Sequence, residues 1–192
     1  MDPRIVEVLR FWFDQAGPQK WFAKDTAFDD VIRDRFAAIH ADAASGGLAS
    51  WRKSPQGKLA LIVLFDQFSR NMYRNDAKAF ATDSLALAVA KDLRTSGDAS
   101  KLTAAQQAIA LMPFEHAEDK DAQKEAVAGM TEIAEAATDP EQKKMFENMV
   151  DYAKRHQDAI AKFGRFPGRN EALGRASTPD EKKFLAVPEN NF

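Results

Sequence analysis

Residues 59–74 read LALIVLFDQFSRNMYR, apolar on every side at first and abruptly polar from Asp66 onward. A segment apolar all round belongs to a helix in the middle of a domain, not to a surface helix with one wet face. Asp66 and Arg70 are four residues apart and share a helical face, as do Gln67 and Asn71. Leu59, Ile62 and Val63 run into the face of Asp66 and Arg70. Buried polar groups need partners, so the rest of the chain is read for segments that supply them.

The whole chain sets the outer bounds. At 192 residues it is expected to form one domain, residues 1–192, with a real core. A net charge of −2 gives no global basic field, and no nucleic-acid partner is expected. There is no cysteine, which excludes disulfides, thiolate metal sites and a cysteine nucleophile, and fits a reducing cytoplasm. The opening MDPRIVEVLRFWF lacks the basic start, plain apolar run and cleavage site of a signal peptide. The longest apolar run, 59–65, is too short to span a bilayer. A cytoplasmic protein without a membrane association is expected.

Read in order, the chain is a series of capped helices. Asp2-Pro3 opens the first, with Ile5, Val6, Leu9, Trp12 and Phe13 on its apolar face and Gly17-Pro18 at its end. Trp21 and Phe22 fall in a connector and are both expected against the core. Asp25 or Thr26 starts a helix through Phe28, Ile32, Phe36 and Ile39, stopped by Gly46-Gly47. Its charged residues Asp29, Asp30, Arg33 and Asp34 read as a solvated face. Ser54-Pro55 opens the central stretch, and Asn75-Asp76 turns the chain after it. Asp83 caps a helix carrying Leu85, Val89 and Leu93. Thr103 caps another, which Pro113 is expected to interrupt, so that PFEHAED begins on a kink or a new turn.

Asp121 to Thr138 and a helix opened by Asp139-Pro140 follow. The second carries the stripe Met145, Met149, Tyr152, His156, Ile160 and Phe163, closed by Gly164. Thr178-Pro179 with Glu181 opens a last short helix. No period-two run of β-branched residues marks a strand. The expected fold is all-α, a compact antiparallel array of roughly seven to nine helices. Three Trp and fourteen Phe are expected to fill its core.

Several segments carry a resemblance. Trp12-Phe13, Trp21-Phe22 with Asp25 and Phe28-Asp29, Trp51, LIVLFDQFSRNMYR, AFATD at 79–83, MPFEHAED at 112–119 and FGRFPGRNEALGR with Ser177-Thr178-Pro179 occur in order over nearly the whole chain. Together they resemble the bacterial family called domain of unknown function 924. The resemblance implies an all-helical, tetratricopeptide-repeat-like fold and brings no established activity. The pattern departs at Ser69, Ala117 and Gly168, where the family often has Pro, Ser and His.

Two constellations carry chemistry. The first is Arg70, Asn71, Arg165, Arg169 and Asn170, with Arg74 as a further candidate and Asp66 and Gln67 beside them. Guanidinium forks suit carboxylate or phosphate, and Asn both donates and accepts. The alternative is that Arg70 pairs with Asp66 while Arg165 and Arg169 tie the C-terminal loop to carboxylates or carbonyls. The second is Glu115, His116, Glu118 and Asp119, with His156 further along. Their spacing matches no metal signature, so no metal and no cofactor is expected. G-x-S-x-G, P-loop and G-x-G-x-x-G patterns are all missing from the sequence.

The expected function is a binding or scaffold domain for a small anionic ligand, a peptide or a protein. Its ligand set is Asp66, Gln67, Arg70, Asn71, His116, Glu118, His156, Arg165, Arg169 and Asn170. One alternative is a hydrolase-like enzyme with His116 or Glu118 as general base and Arg70 and Arg169 as anion stabilisers. The other is a purely structural or oligomeric helical protein. Oligomeric state is not legible in the sequence.

Overall fold

Ser54 begins the central stretch as the sequence implies. Its hydroxyl accepts the Gly57 N–H at 3.1 Å, and Pro55 occupies the first helical position. The helix then runs without a break in three pieces: α-helical Pro55–Ile62, π-helical Val63–Phe68 and α-helical Ser69–Met72. The π turn adds a residue, so the side chains after it are rotated from the positions an unbroken α-helix would give.

The computed structural model describes residues 1–190, with residues 191 and 192 and the side chain of Glu189 outside that description. Contacts between Cα atoms divide the chain into two compact units, Met1–Pro113 and Phe114–Phe192. No strand occurs among the described residues, and the fold is all-helical. No described helix is long and apolar enough to cross a membrane.

In the first unit the central stretch is surrounded. The helices Pro3–Leu9 and Asp83–Thr95 and the 3-10 turn Ala49–Lys53 lie against Pro55–Ile62, while Thr26–Ala44 packs on the π turn and on Ser69–Met72. Every residue from Leu59 to Leu64 is buried. Gly57 is required by this packing: a Cβ there would meet the Trp51 carbonyl oxygen at 2.1 Å. A second π-helical segment, Arg10–Ala16, continues the first helix and carries Phe11 and Trp12. The two π segments meet at Phe68, whose ring lies 5.6 Å from Trp12, 5.9 Å from Phe11 and 4.7 Å from Phe36.

Several boundaries are as expected. Asp25 caps Thr26–Ala44, and Thr103 with Gln106 forms a reciprocal cap on Ala104–Glu115. Others differ for identifiable reasons. Asp83 is not a cap but the first residue of Asp83–Thr95, and Thr82 before it turns its hydroxyl to the Phe65 carbonyl instead. That helix buries Ala86, Val89, Ala90 and Leu93, so Leu85 is left outside. Trp21 is buried and donates its indole N–H to the Trp12 carbonyl at 2.9 Å, while Phe22 is 62% exposed. Pro113 does not end its helix, which continues to Glu115.

The second unit is built on a helical hairpin. Asp119 caps Lys120–Ala136, accepting the Ala122 N–H at 2.8 Å, and Asp139 caps Pro140–Phe163. The link between them is short, so the two pack antiparallel. Gly164 closes the longer helix in the left-handed conformation, φ 70°, which favours glycine. Ala159, Ile160 and Phe166 form a small core with Phe184 of the last helix, Pro179–Leu185. Thr178 and Glu181 form the capping box of that helix. Tyr152, expected on the apolar stripe, is 44% exposed.

Candidate functional site

Asp66, Gln67, Arg70 and Asn71 lie in the first unit. They lie on consecutive turns where the π-helical piece passes into Ser69–Met72. Gln67 donates from Nε2 to Asp66 Oδ2 at 2.6 Å, and Asn71 donates from Nδ2 to the Gln67 carbonyl at 2.9 Å. Arg70 Nη1 lies 3.1 Å from Asp66 Oδ1, the pairing that spacing alone suggested. Its fork then closes on Asp83, at 2.9 and 3.1 Å, with the guanidinium 5.7 Å from the Phe80 ring.

The sequence pointed to Asp83 only as a cap. Two other partners were read differently. Asp29, assigned to a solvated face, is buried and takes both Nε and Nη2 of Arg74 at 2.8 Å. Arg33, also assigned there, bonds the Met72 carbonyl with Nε and Nη2 and so caps the end of Ser69–Met72. His40 drew no attention in the sequence, yet it is buried with Nε2 2.8 Å from Ser69 Oγ. The available signal was its spacing four residues after Phe36, on the core face of its helix.

His116, Glu118, His156, Arg165, Arg169 and Asn170 lie in the second unit, and they separate into two groups. The first is a clasp that folds the loop after Gly164 onto its neighbours. Arg165 grips Glu181 at 2.7 and 3.0 Å. Arg175, absent from the expected set, grips Glu118 at 2.7 and 2.9 Å and also donates to Asn170 Oδ1. Glu118 further accepts the Phe166 N–H at 2.8 Å, and Asn170 donates to Ser177. Burial alone would push Glu118 up, but the Arg175 fork and the Phe166 N–H outweigh it and hold its carboxyl below the usual range. A carboxylate held in this way is a poor proton acceptor.

The second group is His116, His156 and Arg169, with Glu115, Tyr152 and Arg155 around them. His156 is buried and puts Nδ1 2.9 Å from the Tyr152 carbonyl oxygen. A carbonyl only accepts, so Nδ1 carries the proton. Glu115 Oε1 is 3.5 Å from the same nitrogen, and the rings of His116 and His156 are 6.2 Å apart. Arg169 is buried, lies 4.5 Å from the Phe166 ring and donates to the His116 carbonyl at 2.9 Å.

Burial pushes His156 down to about 3, and the positive charge of His116, Arg169 and Arg155 pushes the same way. The ring is therefore neutral near pH 7, set between positive groups and the Glu115 carboxylate. Gln123 fixes the turn that carries His116, donating from Nε2 to the Glu115 carbonyl at 2.6 Å and the Ala117 carbonyl at 2.8 Å. Asp119, once grouped with these residues, is a helix cap. Among the described residues no group of three or more His, Asp and Glu is placed to hold a metal ion.

Comparison with known proteins agrees with the motifs. A family described as "Bacterial protein of unknown function (DUF924)" matches residues 8–189. The structure of a protein of unknown function from Agrobacterium tumefaciens is similar, at 35% identity and a TM-score of 0.85, covering 95% of this chain and 97% of that one. No curated protein matches the chain. The family match spans nearly the whole length, and the chain belongs to the bacterial family DUF924.

Proposed function

We propose that the protein is a binding domain, of the tetratricopeptide-like kind its family resemblance implies, whose second unit takes a small anionic ligand at Arg169, His116 and His156. One observation supports this most directly. Arg169 and Arg155, with His116, act on the buried His156 ring as positive groups and outnumber the Glu115 carboxylate beside it. A site of positive potential with low solvent access suits carboxylate or phosphate. Arg165, Asn170 and Glu118 then serve by fixing the loop that carries Arg169. In the first unit Arg70 is committed to Asp66 and Asp83, so Asp66, Gln67, Arg70 and Asn71 act as a scaffold network in this reading. Glu118 is the weaker half of the hydrolase alternative, because Arg175 holds it ionised.

The test is an NMR titration of the two ring signals, His116 and His156, with inorganic phosphate and separately with acetate and malonate. Saturable shifts in the wild type that vanish in a folded Arg169→Met variant are expected. Identical shifts in Arg169→Met, or no shift with any of the three anions, would overturn the reading.

A further inference from the structure

His40 takes part in none of the chemistry proposed above, and its hydrogen bonds form a chain whose shortest contact, to a carbonyl, sets the direction. Thr82 Oγ1 lies 2.7 Å from the Phe65 carbonyl oxygen, Ser69 Oγ lies 2.9 Å from Thr82 Oγ1, and His40 Nε2 lies 2.8 Å from Ser69 Oγ. The carbonyl only accepts, so Thr82 donates to it. With its one proton used, Thr82 can only accept from Ser69. The one proton of Ser69 goes to Thr82 or to the Leu64 carbonyl at 3.4 Å, and in either case Ser69 Oγ accepts from His40 Nε2–H. The neutral ring thus carries its proton on Nε2, and Nδ1 is the nitrogen left to take up another.

This chain joins the Thr26–Ala44 helix to Ser69–Met72 and to the start of Asp83–Thr95. Its middle link adjoins the Arg70–Asp83 ion pair: Ser69 precedes Arg70 as Thr82 precedes Asp83.

The surroundings do not favour a cation. The ring faces Phe65 at 6.2 Å and Tyr73 at 6.0 Å, edge to face. Tyr73 is the titratable group against it. Among the described residues no carboxylate lies within ion-pairing distance of His40. The nearby charges are engaged with each other: Arg70 with Asp66 and Asp83, Arg74 with Asp29, and Arg33 with Asp30 and the Met72 carbonyl.

We propose that His40 is a proton-operated latch of the first unit. A proton taken up at Nδ1 leaves the Nε2–H bond to Ser69 in place but puts a buried cation between Phe65, Tyr73 and Ser69, so protonation favours an opened state in which the ring turns to water, Ser69 loses its donor and the adjoining Ser69–Thr82 and Arg70–Asp83 links are freed. The latch is independent of the ligand reading for the second unit. Burial already lowers the affinity of the ring for a proton relative to ordinary histidine. An unfolded histidine binds its proton near pH 6.5, so the latch is fully closed above that and weakens as pH falls towards the lowered folded value.

The test is pH-dependent NMR of the wild-type chain. The Tyr73 amide, bonded to the Ser69 carbonyl, and the Ala86 amide, bonded to the Thr82 carbonyl, report the two sides of the link. Their hydrogen-exchange protection is expected to fall as pH drops below about 6.5, by at most about tenfold per pH unit, and to level off once the folded His40 ring has taken up its proton. In His40→Gln, whose amide still donates to Ser69 and cannot titrate, that dependence disappears. The proposal is overturned if His40 does not titrate before acid unfolding. It is overturned equally if the two amides keep their protection while His40 titrates, or lose it identically in His40→Gln. Should His40→Gln fail to fold, the wild-type titration decides.

Discussion

Arg74 closes a two-point ion pair on Asp29, 45 residues earlier in the chain, with both contacts at 2.8 Å. The carboxylate is buried and the guanidinium reaches solvent. Removing the arginine leaves a buried charge without its counterion, which costs more than the pair itself contributes. Arg74→Met is expected to destabilise the protein on the order of 2 kcal/mol, less than a fully buried pair because water can reach the vacated side. Asp29→Asn combined with Arg74→Met should recover part of the loss. Urea unfolding of the three variants checks this.

Glu181 is the hub of the C-terminal clasp. The Arg165 guanidinium, and after it the Thr178 N–H, hold its carboxyl down to about 2. An unfolded glutamate has a value near 4.3, so its contribution is complete above that and is lost as pH falls from there towards 2. Glu181→Gln should therefore be less stable than wild type at pH 6, with the gap closing in the acid range. Urea unfolding at pH 6 and pH 3 measures both.

His156 gives a dependence of the other kind. With the folded value near 3, the ring stays neutral while an unfolded histidine gains a proton from about pH 6.5 downward. Stability is therefore lost as pH falls between those limits. The His156 ring signal should be flat from pH 8 to pH 5, and a titration midpoint above 5 would contradict the burial described.

Gly57 tests the central packing. A methyl group there collides with backbone, not with the end of a flexible side chain. Gly57→Ala should destabilise by about 1–3 kcal/mol, reversing the gain that alanine normally brings in a helix. Chemical denaturation measures it.

The clasp gives the arginines of the C-terminal loop internal partners. FGRFPGRNEALGR looked ordered because its Phe, Arg and Leu are not linker composition, and its arginines were matched to a ligand. Arg165 instead holds Glu181, and Arg175 holds Glu118. Both arrangements use the same forks. Only the position of the carboxylates distinguishes a clasp from an open site.

The sequence by itself determined the helices, because caps, proline starts and apolar spacing act over a few residues. Asp25, Ser54, Asp139 and the Thr178–Glu181 box all close their helices as local chemistry requires. It also marked 59–65 as the buried centre, since that run is apolar on every side. Tertiary structure decided the partners. Asp29 for Arg74, Asp83 for Arg70 and Ser69 for His40 are separated by 45, 13 and 29 residues. Which carboxylate meets which arginine depends on how helices pack and, at 63–68, on a π turn that rotates every later side chain. That rotation carries the chain into the aromatic cluster around Phe68, whose members Trp12 and Phe36 come from other helices.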